Sequence, residues 1–162
     1  MKSFTFLSGR KALLLLSSLL APLAAQQIDF NALRAVVRLN APEKVSGTRN
    51  QSVTLNVTAV LKSGYHVASN LAPAYPLKVS LTQNPAATLE GVVFPPAKSH
   101  QLAGETLSVF DGEFPLKLTL KTLPNAPIGR TMLTAKVRFQ ACDDRSCLRP
   151  DSIDLKIPLD IH

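Results

Sequence analysis

Cys142 and Cys147 are the only two cysteines in this 162-residue chain, and four residues separate them. Two thiols at that distance can close a disulfide, exchange one with a partner, or join a metal site. Both lie in Phe139-Gln140-Ala141-Cys142-Asp143-Asp144-Arg145-Ser146-Cys147-Leu148-Arg149-Pro150, between two segments that alternate apolar and polar residues. This order predicts a hairpin whose tip, Asp143 to Ser146, is flanked by the cysteines. Directly opposed residues of an antiparallel pair have Cα atoms roughly 4.5–5.5 Å apart, and disulfides usually span roughly 4.4–6.8 Å, so the bond is feasible.

Position and energy bear on what such a bond would do. Odd residues from Leu133 to Ala141 form the apolar set. Strict alternation therefore puts Cys142 on the polar face with Lys136, Arg138 and Gln140. A disulfide clamping a sandwich would lie on the inner face and join distant strands. Closing so short a loop stabilises by roughly 2 kcal/mol on the chain-entropy model, and less where a turn already closes it. The intervening residues do not decide the matter. Arg145 favours a thiolate, whereas Asp143 and Asp144 oppose one. The spacing is not that of a C-x-x-C site, and it leaves a structural cross-link and a redox pair both open.

Other chemistry-bearing residues are few. Cys142, Cys147, His66 and His100 are the right types for a Cys2His2 zinc set, but neither histidine has metal-motif spacing and no metal is expected. His66 reads as a strand-end or near-site residue. No Gly-rich phosphate loop or nucleophile elbow occurs. Asn50-Gln51-Ser52 and Asn56-Val57-Thr58 match short glycosylation sequons. Tyr65, Tyr75 and Phe94 read as packing aromatics.

The elements that must position the cysteines are strands. Apolar residues recur with period two at Ala35–Leu39, Val53–Leu61, Leu77–Leu81, Phe114–Leu120, Leu133–Ala141 and Ile153–Ile161. This is the mark of strands with one buried and one wet face. Asp111-Gly112 predicts a hairpin turn between Leu107–Phe110 and the strand starting at Phe114. Asp29 to Leu33 is long enough for one helical turn. About seven short strands imply an all-β fold, an immunoglobulin-like antiparallel β-sandwich. Phe94 to Gly104, with Pro95 and Pro96, predicts a long loop, and long loops in compact domains are often functional.

Residues 1–25 read as a secretory signal: Lys2, Arg10 and Lys11, an apolar run from Ala12 to Leu20, then Pro22-Leu23-Ala24-Ala25. The apolar run is short for a bilayer span, though an uncleaved anchor is the alternative. Residues 26–162 then form one domain, large enough to bury a core without disulfides. Export places it in the periplasm or outside the cell, where disulfides persist. The net charge of +7 falls to +4 once the leader's three basic residues are removed. The remaining bases are dispersed and the chain has no Trp, which argues against nucleic-acid binding.

Phe139-Gln140-Ala141-Cys142 through Cys147-Leu148-Arg149-Pro150, followed by an alternating strand, resembles the N-terminal periplasmic domain of the DsbD thiol:disulfide interchange reductases, here as a stand-alone secreted domain. Gly64-Tyr65-His66-Val67, Gly91-Val92-Val93-Phe94-Pro95-Pro96 and Val109-Phe110-Asp111-Gly112-Glu113-Phe114 fit the same family. The resemblance spans residues 33–161. It implies an immunoglobulin-like fold, with Cys142 and Cys147 as the exchanging pair and a shielding cap at Phe94 to Leu102. Tyr65, His66, Phe94, Pro95, Pro96 and His100 are the implied cap or near-site residues. It further implies a membrane reductase as electron donor and periplasmic thioredoxin-like acceptors including cytochrome c maturation factors. No small-molecule cofactor is expected, and the domain is expected to be a monomer. The alternative is a non-catalytic immunoglobulin-like binding domain with a static hairpin disulfide.

Overall fold

A computed structural model describes residues 35–102 and 104–162. The expected leader at residues 1–25 and the turn at Asp29–Leu33 lie outside the described residues. Among the described residues, twelve strands build three four-stranded sheets. The first sheet holds β1 (Val37–Asn40), β3 (Ser52–Leu61), β9 (Glu113–Thr122) and β6 (Ala87–Val93), in that order. The second holds β2 (Val45–Gly47), β12 (Asp151–Ile161), β10 (Gly129–Phe139) and β5 (Lys78–Leu81). The third, smaller sheet holds β11 (Ala141–Cys142), β4 (His66–Ala68), β8 (Glu105–Asp111) and β7 (Lys98–Leu102).

The first two sheets form an immunoglobulin-like β-sandwich, as the alternation implies. Leu55, Val57, Ala59 and Leu61 of β3 and Phe114, Leu116, Leu118 and Leu120 of β9 are buried. Leu133, Ala135, Val137 and Phe139 of β10 and Leu155, Ile157, Leu159 and Ile161 of β12 complete the same core. Period two puts all four residues of each set on one face. Each fully buried Leu or Ile contributes on the order of 1.5–3 kcal/mol through removal from water. The pairing is antiparallel except at β2 and β12, which run parallel at Leu159–Ile161. Pro115 pairs with Thr58 at a point past the last residue pair between β9 and β6, so its missing N–H costs no bond to β6.

Three expectations need correction. Asp111-Gly112 is not a hairpin turn, because β8 and β9 lie in different sheets. Gly112, at φ 64°, makes a corner there, and its carbonyl accepts a 2.8 Å hydrogen bond from the Leu61 N–H. The stretch from Phe94 to Gly104 is not one long loop. Lys98–Leu102 is strand β7, paired antiparallel with β8 from Val109 to Glu105. Its polar, non-alternating sequence hides a strand because only one edge is paired and little is buried. The first alternating segment also starts late, since Ala35 is exposed and both Val36 and Val37 are buried.

Candidate functional site

Cys142 and Cys147 form a disulfide with a Cα–Cα distance of 4.0 Å. Two backbone hydrogen bonds bracket it, Asp143 N–H to Ser146 O at 2.9 Å and Leu148 N–H to Ala141 O at 2.8 Å. The tip has its own organiser. Asp143 Oδ1 accepts the N–H groups of Arg145 at 2.8 Å and Ser146 at 2.7 Å. This is the side-chain turn that Asp and Asn adopt readily. The two donated N–H groups hold the Asp143 carboxyl below its ordinary range.

The tip does not simply cap β10 and β12. Their pairing stops at Phe139 and Asp151. Beyond Gln140 the chain leaves the second sheet, and β11 pairs with β4 in the third: Ala141 faces Val67 and Cys142 faces His66. Alternation survives the crossing, because Phe139 and Ala141 are buried while Gln140 and Cys142 are only partly so. Cys147 is exposed. The carbonyl of Leu148 accepts a 3.0 Å bond from Gln140 Nε2, which ties the returning chain to the crossing point.

His66 stands at the centre of this third sheet, opposite Cys142 on one side and Asp111 on the other. It is only 5% exposed, and its Nε2 has no hydrogen-bond partner. Its ring packs against that of His100 at 4.4 Å between centroids. His100 Nε2 in turn lies 3.3 Å from Asp144 Oδ1, in the tip between the cysteines, but without hydrogen-bond alignment. Burial, then the neighbouring His100, pushes the His66 pKa down; Asp144, Asp111 and Asp143 pull against it. Asp111 also receives the Lys98 ammonium.

The structure thus gathers Tyr65, His66 and His100 around one cleft of about 430 Å³, with Asp111 and Asp144. Phe94, Pro95 and Pro96 do not line it. Phe94 stacks on Phe110 at 6.3 Å and packs against the core, while Pro95 and Pro96 lead the chain into β7. The cysteines stand beside the histidines, but bonded to each other rather than in a Cys2His2 set. Asp144 and Asp111 were not legible as site residues. Asp144 offered only a charge between two cysteines, and Asp111 had the signature of a turn.

A sandwich that carries a disulfide on a tip crossing between sheets, next to a buried histidine, defines an immunoglobulin-like domain with an accessible cysteine pair. The family model for the N-terminal domain of the thiol:disulfide interchange protein DsbD matches residues 36–157. The chain belongs to that family, and with its bonded cysteine pair it fits thiol–disulfide exchange at the family level. A search of curated proteins gives no match. Among solved structures, the N-terminal periplasmic domain of ScsB from Proteus mirabilis aligns with a TM-score of 0.55 at 15% identity. That alignment covers 77% of this chain and 46% of the ScsB chain, so this chain spans about half the length of that relative. The reduced DsbD N-terminal domain of Neisseria meningitidis aligns with a TM-score of 0.46 at 15% identity, over 76% of this chain and 85% of that one. The ScsB likeness concerns the fold alone. Among the described residues no helix is long and apolar enough to cross a membrane.

Proposed function

We propose that this chain is a periplasmic thiol:disulfide exchange module, in which Cys142 and Cys147 pass reducing equivalents from a membrane reductase to thioredoxin-like partners. The observation that carries this reading is the placement of the only cysteine pair on an exposed tip, bonded across neighbouring chain segments rather than through the core. The family membership supports the same chemistry. An N-terminal segment with the pattern of a secretory signal supports export.

The residue exposures support one cysteine as the attacker. Cys147 is exposed and Cys142 is half-buried, so Cys147 is the member a partner reaches. In the dithiol form the Cys147 thiolate attacks one sulfur of a partner disulfide. An S–S bond to the partner forms, and the partner's other sulfur leaves as a thiolate. The Cys142 thiolate then attacks Cys147, which restores the internal bond and releases the partner's second thiolate. Two electrons and two protons pass to the partner in total.

The test is trapping. A Cys142→Ser variant retains the exposed attacker but not the resolving thiol, so it should accumulate mixed disulfides in the periplasm. Cys147→Ser should accumulate far fewer. If neither variant traps a partner, the exchange role fails and a static disulfide in a binding domain is the better reading.

A further inference from the structure

The cleft beside the cysteine tip holds three groups that the exchange chemistry does not use. His66, His100 and Asp144 come from three separate segments: β4, β7 and the tip. Each offers one ligand atom, and these atoms lie within 4.8 Å of one another. Donors about 2.0–2.1 Å from a tetrahedral zinc ion sit roughly 3.4 Å apart, so the widest donor pair has to close by up to about 1.4 Å on binding. His66 points to a ligand independently of this clustering. It is 5% exposed, yet its Nε2 has no partner, and a buried imidazole nitrogen left bare is costly. His100 Nε2 is bare as well.

We propose that His66, His100 and Asp144 form a zinc site on the rim of the cysteine pair. Two imidazoles and one carboxylate are a ligand set that zinc takes with a fourth position left open. Burial favours the neutral imidazole at His66, the form that binds a metal. The other charged groups are compatible. Asp111 sits opposite His66 but is paired with Lys98, and Asp143 is engaged in its turn. Asp144, exposed and in contact with His100, is the carboxylate free to close on an ion.

The site is also coupled to the cysteines. Cys142 is the direct cross-strand partner of His66, and such partners project to the same face of a sheet. Reduction frees a thiol on the residue paired with His66, and its thiolate has to rotate toward the ion to become the fourth ligand. The reduced domain then binds zinc at least tenfold more tightly than the oxidised one. By linkage, saturating zinc raises the reduction potential of the pair by about 30 mV per tenfold difference. This coupling rests on the pair being reducible, whereas zinc binding to the oxidised domain does not.

The experiment is calorimetric titration of the chelator-treated, exported protein with zinc chloride. One sample is oxidised, and one is reduced and desalted anaerobically. The expected result is one zinc per chain, weakened at least tenfold by His100→Gln and by Asp144→Asn. Both substitutions are at rim positions, and a thermal melt verifies folding. Chemical-shift changes at the His66 and His100 ring nitrogens identify the ligands without reliance on any variant. Absence of binding up to about 1 mM zinc, or binding unchanged in both variants, overturns the site. Equal affinity in the two redox states overturns its coupling to the cysteines.

Discussion

Opening the Cys142–Cys147 bond leaves the sandwich standing. The disulfide links residues 5 apart in sequence. On the chain-entropy model a loop that short confers about 2 kcal/mol. That value assumes an otherwise open loop. Here the Asp143 N–H to Ser146 O and Leu148 N–H to Ala141 O bonds already close the tip, as does the Asp143 side-chain turn. The expected loss on reduction, or in the Cys142→Ser/Cys147→Ser double variant, is therefore about 1 kcal/mol and no more than about 2. Natural domains hold roughly 5–15 kcal/mol, so the protein stays folded. For comparison, truncating a fully buried core residue such as Leu116 to Ala costs about 2–5 kcal/mol. Urea unfolding of the oxidised, reduced and double-variant proteins, followed by far-UV circular dichroism, gives the three values directly. A loss above about 4 kcal/mol, or unfolding on reduction alone, would refute the reasoning and make the bond a structural cross-link.

Three other outcomes are expected. His66 has a folded-state pKa below 6.5, so the folded protein binds fewer protons than the unfolded chain between those two values. Stability measured in chelator should fall as pH drops below 6.5, and most of that dependence should vanish in His66→Gln; a wild type with no pH dependence from 7.5 to 5.5 speaks against it. Phe110 packs at 4.9 Å between ring centroids on Phe114 and is buried, so Phe110→Ala should cost about 3–5 kcal/mol by urea titration, with a loss under 1 kcal/mol as the contrary result. Asp143→Ala removes the acceptor for two tip N–H groups, so amide exchange at Arg145 and Ser146 should speed up; in the wild type the same loosening should begin only as pH falls through the depressed pKa below 3.8.

The large strands were legible because burial imposes period two on them. Phe114, Leu116, Leu118 and Leu120 are apolar because one face of β9 meets the core and the other meets water. Alternation in burial also persists across the sheet crossing, with Ala141 buried and Cys142 partly so, although there Cys142 faces the buried His66. Short strands with little burial leave no such trace. β7 reads Lys98-Ser99-His100-Gln101-Leu102 and is held by backbone pairing to β8, which any sequence can supply. Sheet membership is also invisible locally. Asp111-Gly112 has the composition of a hairpin turn, and only long-range pairing makes it a corner. Of the histidine cluster, His66 and His100 were expected near the site and only Asp144 was missed; the three are far apart in sequence, and the two histidines meet because β4, β8 and β7 line up.

A structural cross-link and an exchanging pair make opposite demands on the surrounding contacts. A cross-link is useful where the chain would otherwise be loose. Here the chain entering the tip is fixed by buried Ala141 and by β11 pairing with β4. The chain leaving it is fixed by Leu148, which packs against the core, and by the Gln140 bond to the Leu148 carbonyl. Both ends are anchored one residue from a cysteine, so the sulfur–sulfur bond adds little that those contacts do not provide. An exchanging pair needs this arrangement. In the proposed exchange the two sulfurs separate, bond to a partner and rejoin, and the contacts at Ala141 and Leu148 would hold the chain on either side of them. The crossing into the third sheet serves the same end, because it carries the tip off the β10–β12 ladder before the cysteines begin. Disruption at the tip then ends at Gln140 and does not travel down the two longest strands.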